Sequence, residues 1–481
     1  MTKIHISGKT GGTLLQALQK MGCAPDAPCG GHGTCGKCKV LVDGVEVLAC
    51  QTPVDRDLEV TIPRRAALQI LQEGIGATAQ IDPLEEGHLL AFDIGTTSVV
   101  CYLLDDKTGE ELAAAGMGNP QAVFGADVIS RIRAALNGEL ERLTKAIREG
   151  MTALIWQVCR EAGITPADVG VVSVVGNPAM QQLFLGISPE NLAGVPFAPA
   201  LTEAKAVSCG EILPVCGRAK LLIVPDISGY VGADTLGCVL ATGMHEKEEI
   251  TLLVDIGTNG EMVLGNSKRM IACSTAAGPA LEGAQIRFGM GGAPGAIDHV
   301  WLENGEVKCS VIGGGEAKGI CGSGLIDAIA VGLETGLLNK RGRIQNEERA
   351  LRLTEGIWLT QEDIRQVQLA KGAIRAGITL MAGQLGLEPA DIEKVRLAGA
   401  FGSFMDPKSA CRIGLLPEEL LGRIEAVGNA AGSGAKMLAC DKKLLAVTPK
   451  LVERIEFLEL ANLPEFPRTF AMAMNFREVG P

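Results

Sequence analysis

Aromatic side chains are scarce in this sequence: they make up 3 % of its 481 residues, with three tryptophans, two tyrosines and eleven phenylalanines. No apolar run approaches the ~18 residues of a membrane-crossing helix, so no membrane partner is expected. No basic, apolar and small-residue triplet precedes the first strand-like segment, KIHIS, and a cytoplasmic rather than secreted protein is expected. Clustered basic residues are missing too. The net charge is −12, which argues against a nucleic-acid partner. The five histidines, His5, His32, His88, His245 and His299, show no metal-ligand spacing such as H-x3-H. Glycine, in contrast, is abundant: 62 residues, against about 7 % in average proteins. This abundance implies many tight turns and close backbone approaches, and backbone N–H groups can hold phosphate without side-chain charge.

The 15 cysteines are unevenly placed, five in the first 50 residues and ten scattered over the rest. Without a signal peptide they do not read as a disulfide frame, and a scattered cysteine is a small buried hydrophobe. The dense group differs. Cys29, Cys35, Cys38 and Cys50 lie in PCGGHGTCGKCKVLVDGVEVLAC, and the first three share a glycine-rich loop with no apolar anchor. Such a loop cannot fold on packing alone, whereas its glycines allow the backbone to wrap an inorganic core and aim N–H groups at sulfur. Thiolates select zinc or iron–sulfur. Zinc sites usually carry paired CxxC knuckles, and only one CxxC is present. The spacing lies one residue from the plant-type C-x4-C-x2-C pattern of a [2Fe–2S] cluster, the reading adopted here. Cys23 falls outside the pattern, and His32 reads as a loop histidine or a shield for the cluster. The flanking segments KIHIS, GGTLLQALQKMG, KVLVDG, EVLACQTPV and LEVTIP give a small fold with a hairpin at Asp43-Gly44, similar to the β-grasp ferredoxins. Residues 1–63 carry six basic and six acidic side chains, so the acidity lies in the remainder.

Residues 65–87 read as a linker, partly helical and movable, or as a helix docked on the next domain. From His88 onward, apolar strands ending in Gly–Thr turns alternate with long helices. HLLAFDIGTTSVVCYLL begins at 88 and ITLLVDIGTNGEMVLG at 250. Each is a strand, Asp-Ile-Gly-Thr, and a second strand leaving the turn. Two copies imply two similar lobes across a cleft, with turn N–H groups and Thr hydroxyls on phosphate and strand-end aspartates holding Mg²⁺ through water.

This arrangement resembles the acetate and sugar kinase, chaperone ATPase and actin superfamily, whose five elements can be placed in order. Phosphate-1 is Asp93, Gly95, Thr96 and Thr97. A first connecting helix begins near residues 174–180. Phosphate-2 is Asp255, Gly257, Thr258 and Asn259, with Glu261 two residues on. The adenosine element is VRLAGAFGS, with Gly399, Ala400 and Gly402. The second connecting helix is GNAAGSGAKMLA. The expected fold is thus a two-lobed α/β actin-like, sugar-kinase-like ATPase behind an N-terminal β-grasp [2Fe–2S] ferredoxin domain. The division is 1–64, linker 65–87 and ATPase 88–481, with lobes about 88–248 and 249–428 and a second connecting helix and extension over 429–481.

A ferredoxin module ahead of such an ATPase resembles the ATP-dependent reductive activators of corrinoid proteins, on CGGHGTCGKC, FDIGTTSV, PDISGYVGADT, VDIGTNGE, AAGPALEGA, GICGSGLID and LAGAFGS. The resemblance implies ATP-driven, one-electron reduction of Co(II) to Co(I) in a corrinoid methyltransfer protein, fed by an external reductase or ferredoxin. It implies a [2Fe–2S] cluster on Cys29, Cys35, Cys38 and Cys50, ATP, Mg²⁺ near Asp93 and Asp255, and homodimerisation through the ATPase lobes. Asp255, Asp234 or Glu261 would serve catalysis. Asp234 reads equally as the cap of helix TLGCVLATG, and Glu282 as a water or magnesium partner or a surface carboxylate. GMGGAPGAI has two readings, a loop near the cleft or a protein contact. The rival functions are an activator of a radical acyl-CoA dehydratase, a redox-regulated small-molecule kinase, and a non-enzymatic electron carrier.

Overall fold

The structure, a computed structural model, describes residues 2–477 apart from 9, 10, 22, 26, 28–30, 32, 34, 35, 63–69, 77–79 and 258. In the N-terminal module Asp43 and Gly44 both take positive φ, 51° and 85°, the two-residue turn that joins Lys39–Val42 to Val45–Leu48. Thr13 and Gln16 form a reciprocal capping box that starts helix Leu14–Lys20. Strands Thr2–Ile6 and Leu58–Ile62 complete a four-stranded sheet in which every pair is antiparallel. The core is small: Leu14 and Leu18 of the helix meet Val40, Val60 and their neighbours.

The internal echo of the sequence is an echo of topology. In the first lobe the DIGT turn joins His88–Ile94 to Ser98–Leu104 as an antiparallel hairpin. Glu111–Gly118 lies antiparallel on the outer side. Val169–Gly176 pairs parallel with the first strand, and Lys220–Ile223 parallel beyond it. The second lobe repeats this with Thr251–Ile256, Gly260–Gly265, Met270–Thr275, Lys394–Ala398 and Ile424–Gly428. Each sheet gains one edge strand, Lys205–Ser208 or Ile455–Phe457. Every residue of Val169–Gly176 is buried, as expected of a parallel strand covered on both faces.

Two helices join the lobes, and one departs from the sequence reading. The helix expected near 174–180, Pro178–Leu185, packs within the first lobe, where Thr144 and Arg148 donate to the Leu183 and Phe184 carbonyls at 2.8 and 2.9 Å. The helix that crosses Ala430–Cys440 is instead Ala233–Thr242. Glycine permits the crossing, because a Cβ on Gly434 would overlap the Gly237 backbone. No rotamer change relieves a backbone clash, so Gly434→Val should cost about 3 kcal/mol. Chemical denaturation should show the lowered midpoint.

Of the linker, expected as movable and partly helical or as a helix docked on the next domain, residues 65–69 and 77–79 lie outside the described residues. Its described residues, 70–76 and 80–87, contain no helix and are tied to the body. Tyr102 donates its hydroxyl to the Gln72 carbonyl at 2.8 Å, the Asn429 amide donates to Glu73 at 2.8 Å, and Asp82 exchanges backbone bonds with Cys440 and Lys442. At the other end of the chain Phe476 is buried while Met472 stays exposed, so the tail packs back only in part.

Candidate active site

Both DIGT turns open onto one cleft between the sheets, with a cavity of about 370 Å³, within the ~300–1,000 Å³ range of small-molecule sites. Asp93, Gly95, Thr96 and Thr97 line it from one lobe, and Asp255, Gly257, Asn259 and Glu261 from the other. Asp234, Glu282, Gly399 and Ala400 border it as well. Thr258 lies outside the described residues. Gly402 is a correction: it does not border the cavity. Its Cα faces the Leu397 backbone and side chain, so its service is to let helix Gly399–Phe404 approach the strand before it. Gly399 answers directly to the site. It takes φ +78°, and a Cβ there would stand 2.6 Å from Asp255 Oδ1.

Asp255 and Glu261 are directly opposed across the second hairpin, and Asp234 faces both. Burial pushes the Asp93 carboxyl up to about 7, assisted by Asp234 and Asp255 and opposed by the Asn429 amide, which donates to Asp93 Oδ2 at 3.0 Å. Burial, then Asp234, raises Asp255 to about 7 as well. Burial raises Asp234 to about 6 despite the Thr235 N–H 2.7 Å from its Oδ1. Glu261 is pushed up by burial and by Asp234 and Asp255, against the Ser274 hydroxyl. Asp234 is not the cap of Ala233–Thr242: Gly232 is the N-cap, without a side-chain cap bond, and Asp234 lies in the first turn, accepts from the adjacent Thr235 amide and borders the cleft. Four repelling acids in one cleft are a chemical fit for a cation. Among the described residues, no three His, Cys, Asp or Glu side chains gather closely enough to hold a metal by themselves. That suits Mg²⁺, which keeps several waters and takes phosphate oxygens as ligands.

The phosphate-1 turn is held from behind by residues the sequence reading passed over. Asn177 caps Pro178–Leu185 and donates to Thr96 Oγ1 at 3.2 Å. Asn119 donates to the Gly95 carbonyl at 2.7 Å. Arg131 is wholly buried, and its guanidinium donates to the carbonyls of Thr96 at 2.6 Å and Gly125 at 2.9 Å. Burial lowers its pKa to about 10, with Asp127 and Glu282 pulling the other way, so it remains a cation beneath the turn. A buried charge without a bonded carboxylate is costly, and an anion bound on the far side of the turn would offset that cost. Arg131→Met should weaken nucleotide binding about 10-fold or more, one charge-assisted interaction being worth roughly 1.5–3 kcal/mol. Calorimetric titration with Mg-ADP checks it. The only sequence signal was a pair of arginines in a largely apolar helical pattern, VISRIRAAL.

Of the four cysteines expected to hold the cluster, Cys38 and Cys50 are described, and Cys29, Cys35 and His32 lie outside the described residues. Cys38 and Cys50 are buried together. The Cys50 amide lies 3.5 Å from Cys38 Sγ, and Gln51 Nε2 lies 3.6 Å from Cys50 Sγ. N–H donors aimed at sulfur fit thiolate ligands of an iron–sulfur group. Cys23 behaves otherwise, its thiol donating to the Leu18 carbonyl and its pKa raised by burial. Cys321, at the start of helix Gly322–Glu334, gives its thiol to the Ile297 carbonyl.

The two unassigned motifs also find places. Thr97 donates to Glu282 at 3.3 Å, which puts the AAGPALEGA carboxylate beside the phosphate-1 turn. In GMGGAPGAI, Met290, Gly291 and Gly292 border the cleft, and the Gly289 carbonyl accepts from Lys37 Nζ at 2.6 Å. That loop is both a cleft wall and a contact for the N-terminal module. The linker contributes Ile70 and Leu71 to the cavity.

Comparison with known proteins agrees with this geometry along the whole chain. Residues 2–59 match the 2Fe-2S iron–sulfur cluster binding domain, 89–247 the RACo middle region, and 249–480 the C-terminal ASKHA domain of RACo. The corrinoid activation enzyme RamQ of Eubacterium limosum is 33 % identical, with 93 % of each chain covered. The [Co(II) methylated amine-specific corrinoid protein] reductase of Methanosarcina barkeri is 29 % identical over 80 % of this chain and 76 % of its own. A solved reductive activator for corrinoid, iron–sulfur protein superposes with a TM-score of 0.75 at 30 % identity, covering 98 % of this chain and 96 % of the other. No helix among the described residues is long and apolar enough to cross a membrane. With its iron–sulfur domain, its duplicated actin-like body and relatives similar from end to end, the chain belongs to the family of ATP-dependent reductive activators of corrinoid proteins.

Proposed function

We propose that this protein uses ATP to pass one electron to the cobalt of a corrinoid methyltransfer protein, converting Co(II) to Co(I). The observation that carries the reading is the meeting of the two DIGT turns, with four raised carboxyls, in one cleft of a chain that also holds the cysteine loop. Residues 1–64 would carry the electron, 65–87 connect, and 88–481 bind and split ATP. A [2Fe–2S] group on Cys29, Cys35, Cys38 and Cys50 supplies one-electron transfer when bound, refilled by an external reductase or ferredoxin.

The body's part is electrostatic and positional. Thr96, Thr97, Gly95, Gly257, Thr258 and Asn259 would receive the phosphates. Asp93 and Asp255, raised first by burial and then by neighbouring carboxyls, would hold Mg²⁺ through water, discharging that repulsion. Asp234 or Glu261, each with a carboxyl pushed up by its surroundings, would orient the attacking water and take its proton. Reducing Co(II) from a [2Fe–2S] potential is uphill. A gap of one or two hundred millivolts asks for roughly 2–5 kcal/mol, at ~59 mV per tenfold for one electron. A cleft that binds two states of its partner differently can supply that much. The setting would be the cytoplasm, with two copies joined through the ATPase lobes.

The test is an anaerobic visible-spectrum assay of iron-loaded protein, a Co(II) corrinoid methyltransfer protein and a reductant. Co(I) absorbance should appear with Mg-ATP and not without it. Failure with several corrinoid proteins, while the cluster still reduces, would overturn the reading.

A further inference from the structure

The cysteine loop and the nucleotide cleft are joined by a side chain that none of the roles above uses. Lys37 directly precedes Cys38. Its ammonium reaches across to the second lobe, where it donates to the carbonyls of Gly289 at 2.6 Å and Ile286 at 3.3 Å. The acceptors belong to a tightly held loop. The Arg287 amide donates to Asp363 at 2.7 Å, and the backbones of Phe288 and Met290 bond Ile320 on both sides. Two aligned carbonyls on a fixed loop make a seat for one ammonium, and a compact point charge suits such a seat.

The same loop is in backbone contact with the phosphate-1 side of the cleft. Glu282, which accepts from Thr97, ends the short turn Pro279–Glu282. The next residue, Gly283, takes φ +81°, and a Cβ there would stand 2.6 Å from the Met290 amide and carbonyl. From the other side, a Cβ on Gly289 would overlap the Gly283 carbonyl. Thr97, Glu282, Gly283, Gly289, Lys37 and Cys38 thus form one continuous chain of bonds and contacts. No compressible side chain separates Gly283 from Gly289.

We propose that Lys37 is a positioning residue: it docks the iron–sulfur loop on the rim of the cleft, and nucleotide in the cleft loosens that docking. A phosphate at the phosphate-1 turn competes for the Thr97 hydroxyl and repels the Glu282 carboxylate. Both effects move the turn ending at Gly283, and the Gly289 carbonyl moves with it. The ammonium loses its paired acceptors, and the cysteine loop is freed to meet another protein. A ligand shifts such an equilibrium only through differential contacts with its two states; here those contacts are the Thr97–Glu282 bond and its replacement by phosphate. The inference rests on the nucleotide reading of the cleft and is independent of which protein receives the electron.

The experiment is amide hydrogen exchange on the full iron-loaded chain, under anaerobic conditions, with and without Mg²⁺ and the β,γ-imido analogue of ATP. Titration calorimetry establishes binding of the analogue separately. In the wild type without nucleotide, segments 36–42 and 285–292 should be protected. Lys37→Gln should exchange about tenfold faster in both, and Lys37→Arg, which keeps the charge and donors, should retain part of the protection. The analogue should bring the wild type to the Lys37→Gln level and change Lys37→Gln no further. Equal exchange in wild type and Lys37→Gln would overturn the docking role. Undiminished protection in wild type with bound analogue would overturn the coupling. Visible circular dichroism of the cluster shows whether Lys37→Gln keeps its loop. Should it not, Gly289→Ala opens the same contact from the body side with the cysteine loop untouched, and is held to the same outcomes. Absence of analogue binding would sink the nucleotide reading, and the coupling with it.

Discussion

Asp255→Asn is expected to make the nucleotide-free protein more stable while lowering ATP hydrolysis by roughly 10²–10³-fold, the usual range for loss of one preorganised electrostatic group. Both effects have one cause. Burial and Asp234 hold the Asp255 carboxyl near 7, well above its ordinary 3.8, so its ionised form is disfavoured in the folded state. The native chain therefore binds a proton that the unfolded chain has released, and stability falls as pH rises between the two values. Above about 7 the penalty is fully present; below about 4 both states are neutral and it is gone. Asparagine keeps the shape and removes the charge. Because the side chain borders an open cleft, the full shift is discounted, leaving a gain of about 2 kcal/mol at pH 8. At pH 5 the gain should be smaller. Denaturation midpoints of wild type and variant at the two pH values, without Mg²⁺ or nucleotide, check the sign. A stabilisation larger at pH 5 than at pH 8 would show that the carboxyl is not raised. Mg-nucleotide should reverse the ranking, since the cation discharges the repulsion only where the carboxylate exists.

The parts of this site that were legible in the sequence are those where local chemistry and chain order coincide. Asp93 and Asp255 close apolar strands just before Gly–Thr turns, so the same short pattern encodes strand and turn together and brings both aspartates to the cleft. The duplicated strand order came from that repeat, and the Asp43-Gly44 hairpin from its dipeptide. Long-range packing was not legible. The identity of the helix that crosses Ala430–Cys440 is decided by a contact between Gly237 and Gly434, and single glycines in a chain holding 62 carry no address. Gly402 reads like Gly399 within VRLAGAFGS, yet Gly399, at φ +78°, faces Asp255, whereas Gly402 faces Leu397 of the strand before the helix. Arg131, Asn119 and Asn177 reach the phosphate-1 turn from elements that come after it in sequence. Nothing local marks them as its supports. The linker's bonds to Tyr102, Asn429 and Cys440 were not legible for a related reason: those partners lie far along the chain.

Cys38→Ser should abolish electron transfer to a Co(II) corrinoid protein while leaving Mg-nucleotide affinity within about threefold, a change of less than about 1 kcal/mol. The two halves of this expectation separate the carrier from the motor. Cys38 is buried against Cys50, and its sulfur receives the Cys50 amide; a serine oxygen is a harder and shorter ligand, poorly matched to an iron–sulfur set that selects thiolates. Among the described residues, none that borders the nucleotide cavity belongs to the cysteine loop, and the cleft should keep its own groups. Stability should divide in the same way. The N-terminal core is formed by a few side chains around Leu14, Leu18, Val40 and Val60, and a domain of about 60 residues with so small a core depends on a covalent or metal staple. Loss of the cluster should lower the melting transition of this module by ~10–20 °C, the shift that about 2–3 kcal/mol produces in a domain of this size. The body, with its two large sheets, should melt where it did. Calorimetry of the anaerobic full chain distinguishes the outcomes. One low transition for the whole molecule would mean that the body draws its stability from the docked module, and that Lys37 and the linker contacts join the two more firmly than their few bonds imply.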